Sequence, residues 1–339
     1  MAGFLSQDLC AKSIIIHFEH KQAKYKLNRC VVKLKMLRYR RMDAVNTAIA
    51  TTATTTTTTL PLHITIPADP ISPRVYAGLM AYIQKTMDCR DNPVIFAELR
   101  NESLEAFRVA LNNINAKATR PISLEEALSI RHAAILTKSA QCERRFDAGI
   151  TAISKMYESG HDIVSLSNIY RCPPVMLLEK ILAVKKVLLT EFTDHSILND
   201  RDSKSLADAA LYDDNNYTNK KKRRTEAAEN EEKFVNWMRS TGARFKTQED
   251  LVEEQTEEFG GPVATPDILF MEAVSINGVS VKWVEFKDYT GVPDGVLYKS
   301  NIRQVKKYTD KWGAGAIVYR QSFVSDTMFP RNITLEWNY

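Results

Sequence analysis

Two acids and a lysine in the C-terminal third are the residues best suited to hydrolytic chemistry. Asp267 follows Thr265-Pro266 and opens the apolar run Ile268-Leu-Phe-Met. Glu285 and Lys287 lie two apart in Val284-Glu-Phe-Lys, so in extended chain both side chains point to one face and Phe286 to the other. If the two segments are neighbouring strands, two hard carboxylates and an ammonium share one small space. Carboxylates with open positions suit Mg²⁺ or Mn²⁺. Such a cation polarises a phosphoryl oxygen and acidifies bound water, while a lysine orients that water or neutralises charge in the transition state. Taken alone the pattern is weak, because Glu and Lys alternate on many solvated strand faces.

The elements that must position these groups are legible nearby. Asn277-Gly278 separates two β-prone runs, Ile268–Ile276 and Val279–Lys287, and Asn-Gly in that position predicts a hairpin. The spacing predicts a helix over Leu297–Lys311, on which Gln304 and Tyr308 are i, i+4 and share a face. Gly315–Tyr319 and Ile333–Trp337 read as strands. Helix, strands, helix and strand in this order predict a mixed sheet covered by helices.

The combination Thr265-Pro-Asp267, Trp283-Val-Glu285-Phe-Lys287, Gln304-x-x-x-Tyr308 and Trp312-Gly-Ala-Gly315 resembles the PD-(D/E)xK nuclease superfamily. More narrowly, it resembles the TPD-motif family of codanin-interacting nucleases. The resemblance implies an α+β fold: an all-helical N-terminal region, with a possible helix-turn-helix, followed by a restriction-endonuclease-like α/β core with a mixed sheet. It implies catalytic roles for Asp267, Glu285 and Lys287. It also implies that Mg²⁺ or Mn²⁺ is held by Asp267, Glu285 and the backbone carbonyl of Phe286, and that Gln304 and Tyr308 hold DNA or the motif strands. A further acid is implied on the helix before the first strand. At about 100° per residue, Ala227, Phe234, Val235 and Met238 form one arc that includes Glu231, whereas Glu229 and Glu232 point elsewhere. Glu231 is therefore the expected fourth acid. The implied function is metal-dependent hydrolysis of phosphodiesters in nucleic acid, DNA foremost. The rival is a non-enzymatic adaptor that uses a nuclease-like fold to bind a codanin-like partner in chromatin or histone traffic.

The rest of the chain sets bounds. Of 339 residues, 44% are hydrophobic and 26% charged, which excludes a wholly disordered polypeptide. No run approaches the ~18 apolar residues of a membrane span, so no membrane partner is expected. The five cysteines, Cys10, Cys30, Cys89, Cys142 and Cys172, are scattered and form no CxxC pair, which argues against a disulfide scaffold or a cysteine zinc site and for a reducing compartment. The net charge of +5 is uneven: residues 1–42 hold ten Lys or Arg against two acids, so the remainder is slightly acidic. Any nucleic-acid contact must come from local clusters.

Four regions are expected. Residues 1–70 form a basic, Thr-rich tail, with nine threonines from Thr47 to Thr59, and are expected to be disordered. His17 and His20, three apart, read as solvated, and Met42 is an alternative initiator. Residues 71–194 form a helical domain, in which Ser123 and Glu126 make a capping box. Asp162–Leu182 has helix-turn-helix dimensions and reads as a plain structural pair ahead of a nucleic-acid reader. Residues 195–225 are a polar and basic linker ending in Lys220, Lys221, Lys222, Arg223 and Arg224, a run expected to be exposed and a nuclear-import candidate. Residues 226–339 form the nuclease-like domain. Nucleus and cytoplasm are the expected locations.

Overall fold

The computed structural model describes residues 61–88, 95–146, 149–187 and 198–337. The histidine pair, the threonine tract and the first 60 residues lie outside them. The body comprises 61–253 and 264–337; residues 254–263 belong to a second unit, in which the Val263 amide donates to Gln255 Oε1 at 2.7 Å.

The body is α+β. The helical region runs through α1 (Pro73–Asp88), α2 (Asn101–Asn115), α3 (Leu124–Phe146), α4 (Ile150–Glu158), α5 (Ile163–Tyr170), α6 (Pro174–Val184) and α7 (Asp200–Leu211). The long α8 (Tyr217–Ser240) leads to α9 (Gln248–Phe259), the hairpin and α10 (Gly295–Trp312). The capping box forms as expected: Ser123 N–H donates to Glu126 Oε2 at 2.6 Å, and Glu126 N–H donates to Ser123 Oγ at 3.1 Å. Glu126 also pairs with Arg120 at 2.8 Å, which ties this helix start to the preceding loop.

The sheet contains β1 (Leu62–Ile64), β2 (Phe245–Thr247), β3 (Ile268–Ile276), β4 (Val279–Lys287), β5 (Ala316–Tyr319) and β6 (Ile333–Glu336). Its order is β1-β3-β4-β5-β6, with β2 paired to β3. β3 and β4 are antiparallel, while β1–β3, β4–β5 and β5–β6 are parallel, so the sheet is mixed. The hairpin turns where Asn-Gly requires it: Asn277 and Gly278 both have positive φ, 50° and 81°. The Asn277 side chain accepts from Ile66 N–H at 2.9 Å and donates to the Ile66 carbonyl at 2.7 Å.

Two expected boundaries move. Residues 61–70 are part of the body, because β1 pairs with β3 and Ile64 and Ile66 are buried beside Val274 and Ile276. The stretch 195–225 is not a linker over its described residues, since α7 and the first turns of α8 occupy most of it. Short strands such as β1 and β2 carry too few residues to show a period of two, which is why neither was legible.

The sheet is buried on both faces. One face, with Ile268, Val284, Phe286 and Val318, packs beneath Phe234, Val235 and Met238 of α8. There Phe234 stacks on Phe286 with centroids 4.9 Å apart. The other face, with Trp283, Ile317 and Tyr319, packs under Val305 and Tyr308 of α10. The Trp-Gly-x-Gly segment is explained by this second layer. Gly313 ends α10 at φ 87° and its carbonyl accepts from Trp283 Nε1 at 2.9 Å, while a Cβ on Gly315 would lie 2.1 Å from the Trp283 ring. No helix among the described residues is long and apolar enough to cross a membrane.

Candidate active site

Asp267 stands at the foot of β3, and Glu285 and Lys287 stand near the end of β4. The hairpin brings these strands together, with Ile268 opposite Val284. Asp267 is 5% exposed and Glu285 3%. Asp267 Oδ2 accepts from Phe286 N–H at 2.7 Å, which locks its carboxylate against β4. The alternation of β4 sends Phe286 into the α8 face and Glu285 and Lys287 to the opposite side, as the spacing requires.

Lys287 Nζ donates to Glu285 Oε1 at 2.6 Å and to Gln304 Oε1 at 3.0 Å. Gln304 Nε2 donates to the same Glu285 oxygen at 2.5 Å and to the Tyr308 hydroxyl at 3.0 Å. The Tyr308 hydroxyl in turn donates to the Thr265 carbonyl at 3.1 Å. Of the two roles open to Gln304 and Tyr308, the structure provides the structural one: they brace β4 and the Thr-Pro-Asp segment through one hydrogen-bonded chain. Their i, i+4 spacing on α10 makes this possible.

All the hydrogen bonds to Glu285 fall on one oxygen. Its Oε2 is buried and has no partner. Burial, and then the negative charges of Glu285 and Glu231, raise the Asp267 carboxyl well above the ordinary range. Glu231 is half-buried on α8 and Glu232 is exposed, in the phase expected from the apolar arc. The Glu231 carboxyl is raised by burial first and then by Glu285 and Glu249, with Lys287 opposing. Burial pulls the Lys287 ammonium down, but the negative charges of Glu285 and Asp267 and the hydrogen bond to Glu285 prevail, and it is held above its usual value. The site is thus a charge-strained pocket: three mutually repelling acids share one lysine.

Among the described residues, no three His, Cys, Asp or Glu side chains converge tightly enough to form a ready-made metal cage. A cation here would use two carboxylates and a carbonyl, a set that fits a strongly hydrated ion such as Mg²⁺. The orphaned Glu285 Oε2 and the raised Asp267 are the observations that match it.

Residues 199–336 match the TPD sequence-motif family, described as a protein of unknown function. The chain is also similar to an uncharacterized protein of Acanthamoeba polyphaga mimivirus, 30% identical over 105 residues, or 30% of this chain and 36% of the viral protein. It therefore spans about a third of the length of that curated relative. No solved structure matches. The TPD-matching segment begins just before α7 and ends with β6, so it contains the whole candidate site together with α7 and the first turns of α8, the stretch expected to be a linker.

Within the TPD-matching segment, sequence reasoning missed one group beside Lys287. Asp288 is half-buried, accepts from Asn230 Nδ2 at 3.0 Å and pairs with Arg320, which also reaches Glu125 on α3 at 2.6 Å. The signal was Asp288 itself, the next residue after the motif lysine. Its partners come from α8 and from just beyond β5, which no local pattern reveals.

Two other expectations meet the structure. α6 packs as the structural reading of the pair expects: Pro174, Val175, Leu177, Leu178, Ile181 and Leu182 are buried, and Asp213 Oδ2 accepts from Val175 N–H at 3.1 Å. The basic run, expected to be exposed, is so only in part. Lys220 and Arg223 are half-buried, with Lys220 over the Tyr217 ring and Arg223 paired with Asp214 at 2.6 Å, while Lys221, Lys222 and Arg224 are exposed.

Proposed function

We propose that this chain is a Mg²⁺- or Mn²⁺-dependent nuclease with a restriction-endonuclease-like core, which hydrolyses phosphodiester bonds in nucleic acid, DNA foremost. The observation that carries this reading is the buried Glu285 Oε2 without a partner, beside an Asp267 raised by burial and by neighbouring negative charge. Glu285 pairs with Lys287 through Oε1, but a buried acceptor atom left without a partner costs about 1–3 kcal/mol, and a cation beside Oε2 would be its natural complement.

When bound, the cation would activate water and polarise the phosphoryl oxygen. Asp267, Glu285 and the Phe286 carbonyl would hold it. Lys287 orients the attacking water or offsets the charge that develops on phosphorus oxygens, and Gln304 fixes the lysine through its 3.0 Å hydrogen bond. Glu231 faces the same charge cluster from α8 and supports the ion from its outer side. Tyr308 holds the Thr265 segment so that Asp267 stays against β4.

The test is a cleavage assay of the purified chain on linear and branched DNA, titrated with Mg²⁺. Activity in the wild type that is lost in Asp267→Asn, Glu285→Gln and Lys287→Met supports the reading. No cleavage by the wild type on any substrate, or equal cleavage by all four proteins, overturns it. The adaptor reading, in which the same fold binds a codanin-like partner, needs none of these three side chains and predicts that their replacement leaves partner binding unchanged.

A further inference from the structure

A cavity of about 790 Å³ opens beside the candidate site, and Glu231 and Lys287 form part of its lining. Its lining is chemically mixed. It includes Leu99, Leu104, Leu124 and Leu128, from α2, α3 and the segment before α2, each half-buried. It also includes Lys222 and Arg224 of α8, both exposed. Acids also line the space: Asp214 is paired with Arg223 at 2.6 Å, Glu125 with Arg320 at 2.6 Å, Asp288 with the same arginine, and Glu98 with Arg100 at 2.7 Å, while Glu231 belongs to the acid cluster of the candidate site. Glu226 lies 3.8 Å from Lys222 in an exposed pair, which is worth little.

Helix geometry links the cationic wall to the chemistry. Arg224 and Glu231 are seven residues apart on α8. Seven residues return to nearly the same face and advance about 10 Å along the axis. A chain that touches Arg224 with a phosphate therefore has a later phosphate within reach of the Glu231 and Lys287 end. A space lined by both apolar and cationic side chains suits bases against the former and phosphates against the latter, as in sequence-tolerant single-strand sites. The space is of the size that holds a drug-like ligand, and it is far too small for a duplex whose major groove alone is about 12 Å wide.

We propose that this cavity seats an unpaired nucleic-acid strand, with bases against the leucine wall and phosphates on Lys222 and Arg224, and so feeds the scissile bond toward Lys287. The proposal rests on the nuclease reading for its direction, but its binding claim stands apart from catalysis. The basic run expected to be an import signal is then a substrate wall, at least at Lys222 and Arg224.

The test measures fluorescence anisotropy of labelled oligothymidylate and of a duplex of equal length against the full chain, in EDTA so that no cleavage occurs. The single strand should bind at least about tenfold tighter than the duplex. Lys222→Ala with Arg224→Ala should weaken strand binding roughly 10–30-fold and reduce the salt slope by about 1.4, the value for two single-strand phosphate contacts. Leu104→Glu should weaken it through the other wall. Lys222→Ala alone, at an exposed site that cannot disturb folding, should give part of the loss. Equal affinity for strand and duplex, or unchanged affinity in the folded lysine and arginine variants, overturns the proposal. Strand binding as expected with no Mg²⁺-dependent cleavage refutes the nuclease reading and leaves the strand site standing. Cleavage with no effect of the wall variants does the reverse.

Discussion

Two buried aspartates in this protein have opposite electrostatics. Asp202, in the helical region, is 2% exposed, yet Tyr157 donates to one oxygen at 2.8 Å, and Lys185 and Asn199 donate to the other at 2.8 and 2.9 Å. Burial pushes its carboxyl up, but those donors outweigh burial and hold it below the ordinary range. Asp267 is similarly buried, but it has one backbone donor and two repelling acids, and its carboxyl is raised. Burial alone therefore does not mark a functional acid. What distinguishes Asp267 is burial beside like charge, with fewer donors to offset it than Asp202 has.

The largest effect should fall on turnover. Asp267→Asn, Glu285→Gln and Lys287→Met are each expected to lower it at least ~10²-fold, the scale of removing a group that stabilises charge at the reacting centre. Asp202→Asn should leave kcat unchanged once folded protein is compared. A kcat loss for Asp202→Asn as large as for Asp267→Asn would erase the distinction between the two aspartates.

Glu231→Gln comes next, with a loss of ~10–100-fold in activity or Mg²⁺ affinity, as for residues that support a metal from outside its ligand set. Glu232→Gln, exposed on the neighbouring face of α8, should change activity less than about twofold. Equal effects from the two glutamates would show that the apolar arc does not select the acid.

Stability should move in opposite directions. Asp202→Ala is expected to cost about 1–3 kcal/mol, because it removes the acceptor and leaves the Tyr157, Lys185 and Asn199 donors without their partner. Asp267→Asn in metal-free protein should hold or raise the thermal midpoint, since it removes a repelling charge while its amide oxygen can still accept from Phe286 N–H. Denaturant melts in EDTA give both values. Destabilisation by Asp267→Asn equal to that of Asp202→Ala would mean that the site acid is as well compensated as the structural one.

A third buried acid sharpens the comparison through pH. Asp213 caps α6 and accepts from Val175 and Asn215 N–H groups, but burial dominates and pushes its carboxyl up to about 6. Its folded value lies above the ordinary 3.8, so the folded state holds the proton more tightly between those two pH values. The contribution to stability is then full below the lower value and is lost as pH rises through the upper one, by roughly 3 kcal/mol at most. Urea melts from pH 4 to 7 should show this fall, and Asp213→Asn should flatten it. An unchanged slope in the variant would place the titration elsewhere.

Sequence alone determined what depends on neighbours along the chain. Asn277-Gly278 accepts positive φ at both positions, so the hairpin followed, and the i, i+2 spacing put Glu285 and Lys287 on one face; the irregularity between Leu269 and Val274 that pairs Ile268 with Val284 was not legible. The i, i+4 spacing of Gln304 and Tyr308 and the arc of α8 that includes Glu231 follow from 3.6 residues per turn. The capping box at Ser123 and Glu126 is equally local. Tertiary structure decided the rest. Whether α6 reads a partner or fills a core depends on what covers it, and its apolar residues on every side mean burial only once α4 and α7 are in place. The same holds for Lys220–Arg224, where Asp214 claims Arg223 from outside the run. The strand β1 is three residues long and is stabilised by pairing with β3 more than 200 residues away. Most of all, Glu285 Oε2 is left without a partner because Lys287 and Gln304 both donate to the other oxygen, and that choice is made by packing between β4 and α10 rather than by any spacing in the chain.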